Sequence, residues 1–304
     1  MKFTKTFVSA LLALMLMLSA FGCAAPAVDA PAAEAAAEQP AVEDAEQAKP
    51  VLLAVSFGTS YDNLDASIGG VEAALASAYP EYELRRAFTA QTVIDIIAER
   101  DGVETDNVIQ AMDRMIADGV KEVVIQPTHV MNGFEYDDMM KEVAPYADKF
   151  DSMKTGKAIL TTDDDFAKLI ASITQETAEY NNEETAVVFM GHGTHHEQNA
   201  VYSTLQQKLA EAGYANYFIG TVEATPALED VMAAVKEIGA KKVVLLPMMI
   251  VAGDHANNDM AGDEEGSWKT AFINAGYEVE CVLKGLGEYA GVQQIIVEHA
   301  AAAQ

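Results

Sequence analysis

From residue 51 onward the chain alternates short apolar runs with longer segments whose apolar positions recur every three or four residues. The runs VLLAVSF (51–57), ELRRAF (83–88), EVVIQPT (122–128), TAVVFMG (185–191), NYFIGTV (216–222), KVVLLPMMIV (242–251) and EVECVLKG (278–285) have the length and composition of strands. Between them, helical spacing predicts helices over 65–77, 90–100, 108–118, 197–212 and 227–238. Strands alternating with helices imply an α/β fold of parallel sheets flanked by helices. The halves also repeat: VLLAVSFGTSYDN matches AVVFMGHGTHHEQ, and KEVVIQPTHVMNGFEYDDM matches KKVVLLPMMIVAGDHANNDM. The first match aligns Gly58 and Thr59 with Gly193 and Thr194; the second aligns Pro127 with Pro247 and Gly133 with Gly253. Two similar lobes are therefore expected, 50–165 and 170–304, with a cleft between them.

The first fifty residues break this pattern. Lys2 and Lys5 precede an apolar stretch that ends at Gly22 and Cys23, so 1–22 reads as a secretory signal, and AFGC resembles a lipobox with Cys23 as the lipidated residue. The Ala-, Pro- and acid-rich 23–49 reads as a flexible tether. An exported lipoprotein, anchored to the membrane on the extracytoplasmic face, is expected.

Composition removes several function classes. A formal net charge of −28 argues against nucleic acid as a partner. Beyond Cys23 the one other cysteine is Cys281, so the folded body must be held by its core rather than by a disulfide. SFGTSYDN lacks the glycine spacing and lysine of a P-loop, and no GxGxxG occurs, so no nucleotide cofactor is expected. No GxSxG occurs either, which argues against a serine hydrolase. A homo-oligomer stays open.

In parallel α/β sheets, ligands sit beyond the carboxyl ends of the strands. His192, Glu223 and His255 each follow a predicted strand of the second half. Two imidazoles and one carboxylate suit borderline divalent metals, and three protein ligands leave coordination positions open. His195 and His196 are adjacent, so at most one of them is expected to reach the same site. His129, after a strand of the first half, is placed to meet a ligand from the opposite wall. His299, in a helical segment near the C-terminus, is expected to face solvent.

Taken together, VSFGTSYDN, YELRRAFTAQTVI, VVIQPTHVMNGFEY, MGHGTHHEQNAVYSTL, GTVEATPALEDV and LLPMMIVAGDHANNDMAGDEEGSWKTAF resemble the anaerobic cobalt chelatases of the sirohydrochlorin cobaltochelatase type, within the class II chelatases. The resemblance covers the chain from about residue 50. It implies two flavodoxin-like lobes and a metal site made by His192, Glu223 and His255, the residues that strand-end placement also selects. It further implies insertion of Co2+, as substrate metal, into sirohydrochlorin, with His192 and Glu223 in catalytic roles; Fe2+, Ni2+ and Zn2+ fit the same ligand set. Because such a tetrapyrrole is polyanionic, Arg85 and Arg86 are candidates to bind its carboxylates, with His129 and His196 as further candidates to face it. Export sits uneasily with a cytoplasmic biosynthetic step. An extracytoplasmic haem, tetrapyrrole or metal carrier on a chelatase scaffold is therefore the alternative reading, and a periplasmic metal receptor the third.

Overall fold

The computed structural model describes residues 48–303; the expected signal segment, Cys23 and the tether up to residue 47 lie outside the described residues. The first sheet contains β1 (Val51–Ser56), β2 (Glu83–Phe88), β3 (Glu122–Pro127) and β4 (Ser152–Thr155), all parallel, in the order β2-β1-β3-β4. The second contains β5 (Thr185–Gly191), β6 (Tyr217–Thr221), β7 (Lys242–Pro247) and β8 (Glu278–Cys281) in the equivalent order β6-β5-β7-β8. The sequence repeat is thus a repeat of topology. Around the sheets lie α1 (Ile68–Ala78), α2 (Gln91–Asp101), α3 (Val108–Ala117), α4 (Phe134–Val143), α5 (Asp163–Glu176), α6 (Ala200–Glu211), α7 (Leu228–Ile238), α8 (Trp268–Asn274) and α9 (Ala290–Ala303).

β1 and β5 are buried along their whole length because helices cover both faces of their sheets. Alternation then sorts their side chains. Val51, Leu53 and Val55 join one outer cluster with Met112 and Met115 of α3; Ala186, Val188 and Met190 join another with Val235 of α7 and Phe272 of α8. Leu52 and Ala54 point the other way, into the same core as Val187 and Phe189, which is filled by α1, α5, α6 and α9. One apolar core therefore touches both sheets. The described residues form one compact unit.

Several expectations need correction. β4 escaped the pattern because its four residues, SMKT, carry no apolar run. β7 stops at Pro247, and the apolar residues 248–251 leave the sheet to line a cavity. The segment 197–212 is a tight 3-10 turn, Glu197–Asn199, followed by α6. His299 does not face solvent: its Nε2 lies 2.8 Å from Asp165 Oδ1 and its Nδ1 3.2 Å from the Lys157 carbonyl. The spacing of α9 accounts for it, since Val292, Ile295, Ile296, His299 and Ala300 share one buried stripe.

Candidate metal centre

β5 lies between β6 and β7, so their carboxyl ends are neighbours at the point where strand order reverses. His192 directly follows β5. The β5–β6 pairing continues past both strands, with the Val222 N–H donating to the Gly191 carbonyl (3.0 Å) and the Glu223 N–H to the His192 carbonyl (2.9 Å). That register sets His192 and Glu223 side by side. Gly193 follows with φ +81°, and a Cβ there would stand 2.8 Å from Thr221 Cβ and 2.9 Å from the Ala224 nitrogen. Only glycine lets the chain turn this closely over β6.

His255 enters from the loop after β7 and opens a single π-helical turn, Ala256–Met260. This turn brings Asp259 Oδ2 to 2.7 Å from His255 Nδ1. A carboxylate only accepts, so Nδ1 is the donor and Nε2 is the nitrogen left to face a metal. His192 obeys the same logic: Nδ1 lies 2.7 Å from the Gly193 carbonyl, which leaves Nε2 free. The two rings meet edge to face with centroids 4.7 Å apart, and Glu223 Oε2 lies 3.8 Å from His192 Nδ1. One donor atom from each of His192, Glu223 and His255 falls within 4.8 Å of the others. Ligands at about 2.1 Å from a shared ion stand roughly 3.4 Å apart in a tetrahedral set, so small side-chain rotations close the site.

These residues form part of the wall of a cavity of about 580 Å³. The first lobe supplies the opposite wall from the equivalent strand ends, residues 56–61 after β1 and 128–135 after β3. Direct bonds clasp the lobes around it: Tyr61 Oη donates to Asp254 Oδ1 (3.1 Å), and Asn63 Nδ2 donates to the Ala252 carbonyl (3.0 Å).

The cleft brings together His192, His195, Glu223, His255 and His129, but not His196, Arg85 or Arg86. His129 lines the first-lobe wall with both ring nitrogens shut off from solvent and unpartnered, and burial pushes its pKa from 6.5 down to about 4. His195 lines the cavity, whereas His196, expected to face the substrate, does not. Its Nδ1 accepts from the Gln198 N–H (3.1 Å), its Nε2 lies 3.4 Å from Asp137, and Phe134 packs edge to face on its ring. His196 thus joins the lobes beside the cavity.

Arg85 and Arg86 lie mid-strand on the edge strand β2 and border a separate surface groove. Arg86 forms a fork on Glu72 (2.6 and 2.5 Å), and Arg85 bonds Glu83 (2.9 Å) and Asp118 (2.6 Å). In so acidic a chain the nearby carboxylates capture both guanidinium groups. Sequence reasoning also missed Asp259, although its i, i+4 spacing from His255 was legible, and the Met248–Met249 wall, which looked like strand.

Residues 50–304 match the model of the family described as Cobalt chelatase (CbiK). The sirohydrochlorin cobaltochelatase of Salmonella typhimurium is 36% identical over 252 residues, spanning 83% of this chain and 95% of that protein. The chain belongs to the cobalt chelatase family. A second relative is the sirohydrochlorin cobaltochelatase CbiKC of Nitratidesulfovibrio vulgaris, 29% identical over 84% of this chain and 90% of its own length. The fold of this cobalt chelatase family member is shared with SirB from Bacillus subtilis, solved with Fe3+, at a TM-score of 0.57 and 13% identity over 83% of this chain and 94% of that one.

Proposed function

We propose that this protein inserts Co2+ into sirohydrochlorin, with His192, Glu223 and His255 holding the incoming metal. The observation that carries the reading is the convergence of two free imidazole nitrogens and a carboxylate at one end of a two-walled cavity. The family relatives named for this reaction support the choice of metal and ring.

The reaction exchanges one divalent cation for two pyrrole N–H protons, so charge balances without any redox step. Two neutral imidazoles and one carboxylate leave coordination positions open, through which ring nitrogens replace the remaining ligands. Glu223 stands at the metal, with its side chain half exposed, and is placed to accept a released proton and pass it to water. Asp259 holds the His255 ring and keeps its free nitrogen aimed at the ion. We further propose that residues 1–22 act as an export signal and Cys23 carries a lipid, as Lys2, Lys5, the apolar stretch and its AFGC ending support; Cys23→Ser should then lose membrane association in a fractionation assay.

The test follows ring absorbance while excess sirohydrochlorin and Co2+ are added to the protein. Many equivalents should be converted, and His192→Ala and His255→Ala should each abolish the acceleration. Conversion that stops at one equivalent would instead establish a carrier.

A further inference from the structure

Two aromatic side chains on the first-lobe wall lack a partner that covers them. Phe57, the residue after β1, is 51% exposed, and Phe134, the first residue of α4, is 52% exposed. Both line the same cavity as His192, Glu223 and His255. A phenyl ring left half in water forgoes the free energy of burial, so a flat apolar ligand laid against either one would recover it. Neither ring hangs on a free segment. Phe134 is braced edge to face by His196 at a centroid distance of 4.9 Å. Phe57 precedes Gly58, whose φ of +101° turns the chain tightly against Phe88.

The charge of the cavity points to the same part of the ligand. Among the described residues that line it there is no Lys or Arg, while Glu135, Glu223 and Asp254 are acidic. Arg100 touches this wall only by bonding the Ser60 carbonyl (2.5 Å), and its guanidinium is shared with Asp101. A polycarboxylate therefore finds no lysine or arginine partner among these lining residues, and a chain of net charge −28 repels it at a distance. The conjugated ring is the part of it that the exposed phenyl groups of this wall can hold.

Resting on the chelatase reading, we propose that Phe57 and Phe134 grip the flat ring of the tetrapyrrole and present its inner nitrogens to the metal ligands. The acid arms stay hydrated at the cavity mouth. Selection then acts on the ring system rather than on the number of acid arms, and added salt screens the repulsion instead of breaking attractive pairs.

Fluorescence titration of metal-free sirohydrochlorin into the full chain tests this directly. Phe57→Ala and Phe134→Ala should each weaken binding by about 5- to 10-fold and raise the tetrapyrrole KM, with Co2+ affinity unchanged. Phe57→Tyr and Phe134→Tyr should restore binding, and Ile96→Ala, which removes an equally exposed side chain outside the cavity, should have no effect. Raising salt to about 0.5 M should leave wild-type binding equal or tighter. Alanine variants that bind as tightly as wild type while cobalt insertion proceeds overturn this inference alone, as does wild-type binding that collapses in salt. A wild-type protein that grips the ring through these residues yet inserts no cobalt overturns the chelatase reading alone.

Discussion

At the residue scale, the proposed metal centre depends on hydrogen bonds that fix which nitrogen of each histidine is free. Asp259 does this for His255 through a side chain, so it can be removed without touching a ligand. Asp259→Asn should lower Co2+ affinity about 10- to 100-fold with little change in the unfolding midpoint, measured by metal titration alongside urea denaturation. His129 poses a different problem. Burial holds it neutral in the folded chain, with its pKa pushed down to about 4, while the unfolded chain takes up a proton near the ordinary value of 6.5. Its contribution is therefore complete above pH 6.5 and is lost as pH falls toward about 4, because the unfolded state binds the extra proton. His129→Leu should flatten the decline in urea midpoint between pH 7 and pH 5. A decline of unchanged steepness would show that His129 is not its source.

At the scale of elements, the site is built where strands end and helices begin, and close approach matters more than propensity. A Cβ on Gly191 would lie 2.3 Å from Tyr202 Cε1, so the last residue of β5 and the aromatic ring of α6 leave no room for a methyl group. Tyr202 is fully buried and cannot step aside into solvent. Gly191→Ala should cost about 1–3 kcal/mol of stability by overpacking, and should slow cobalt insertion by displacing His192, the next residue. Paired urea-melt and rate measurements check this. Elements with strong patterns were legible in the sequence: β1, β5 and the strand β2 were assigned to within a residue. Those that failed did so for identifiable reasons. β4 is a half-exposed edge strand without an apolar run, and 248–251 is apolar because it faces a cavity rather than a sheet neighbour.

At the scale of the whole molecule, the duplicated sheets share one core. Leu52 and Ala54 of the first sheet, Val187 and Phe189 of the second, and Ile295 and Ile296 of α9 belong to the same buried cluster. The last helix of the chain also packs against β3 and β4, so the C-terminal residues complete the first lobe. The Asp165–His299 contact ties α9 to α5 in this shared layer. Such coupling predicts cooperative unfolding. The single tryptophan, Trp268, lies buried beside the second sheet and reports on that half, whereas far-UV circular dichroism reports on both. The two signals should give one midpoint in urea; separate midpoints would show that the lobes unfold independently.

Local pattern alone determined the parallel α/β class, the two-fold repeat, and the choice of His192, Glu223 and His255, because strand periodicity and strand-end position are written in contiguous residues. Tertiary structure decided what depends on distant partners. Arg85 was lost to Asp118 and Arg86 to Glu72, carboxylates that folding brings beside them, and His299 was drawn into the core by a helix that crosses to the other sheet. Which of His195 and His196 faces the cavity was decided by Asp137 and Phe134, nearly sixty residues away, since a side chain's direction is set by the neighbours that capture it.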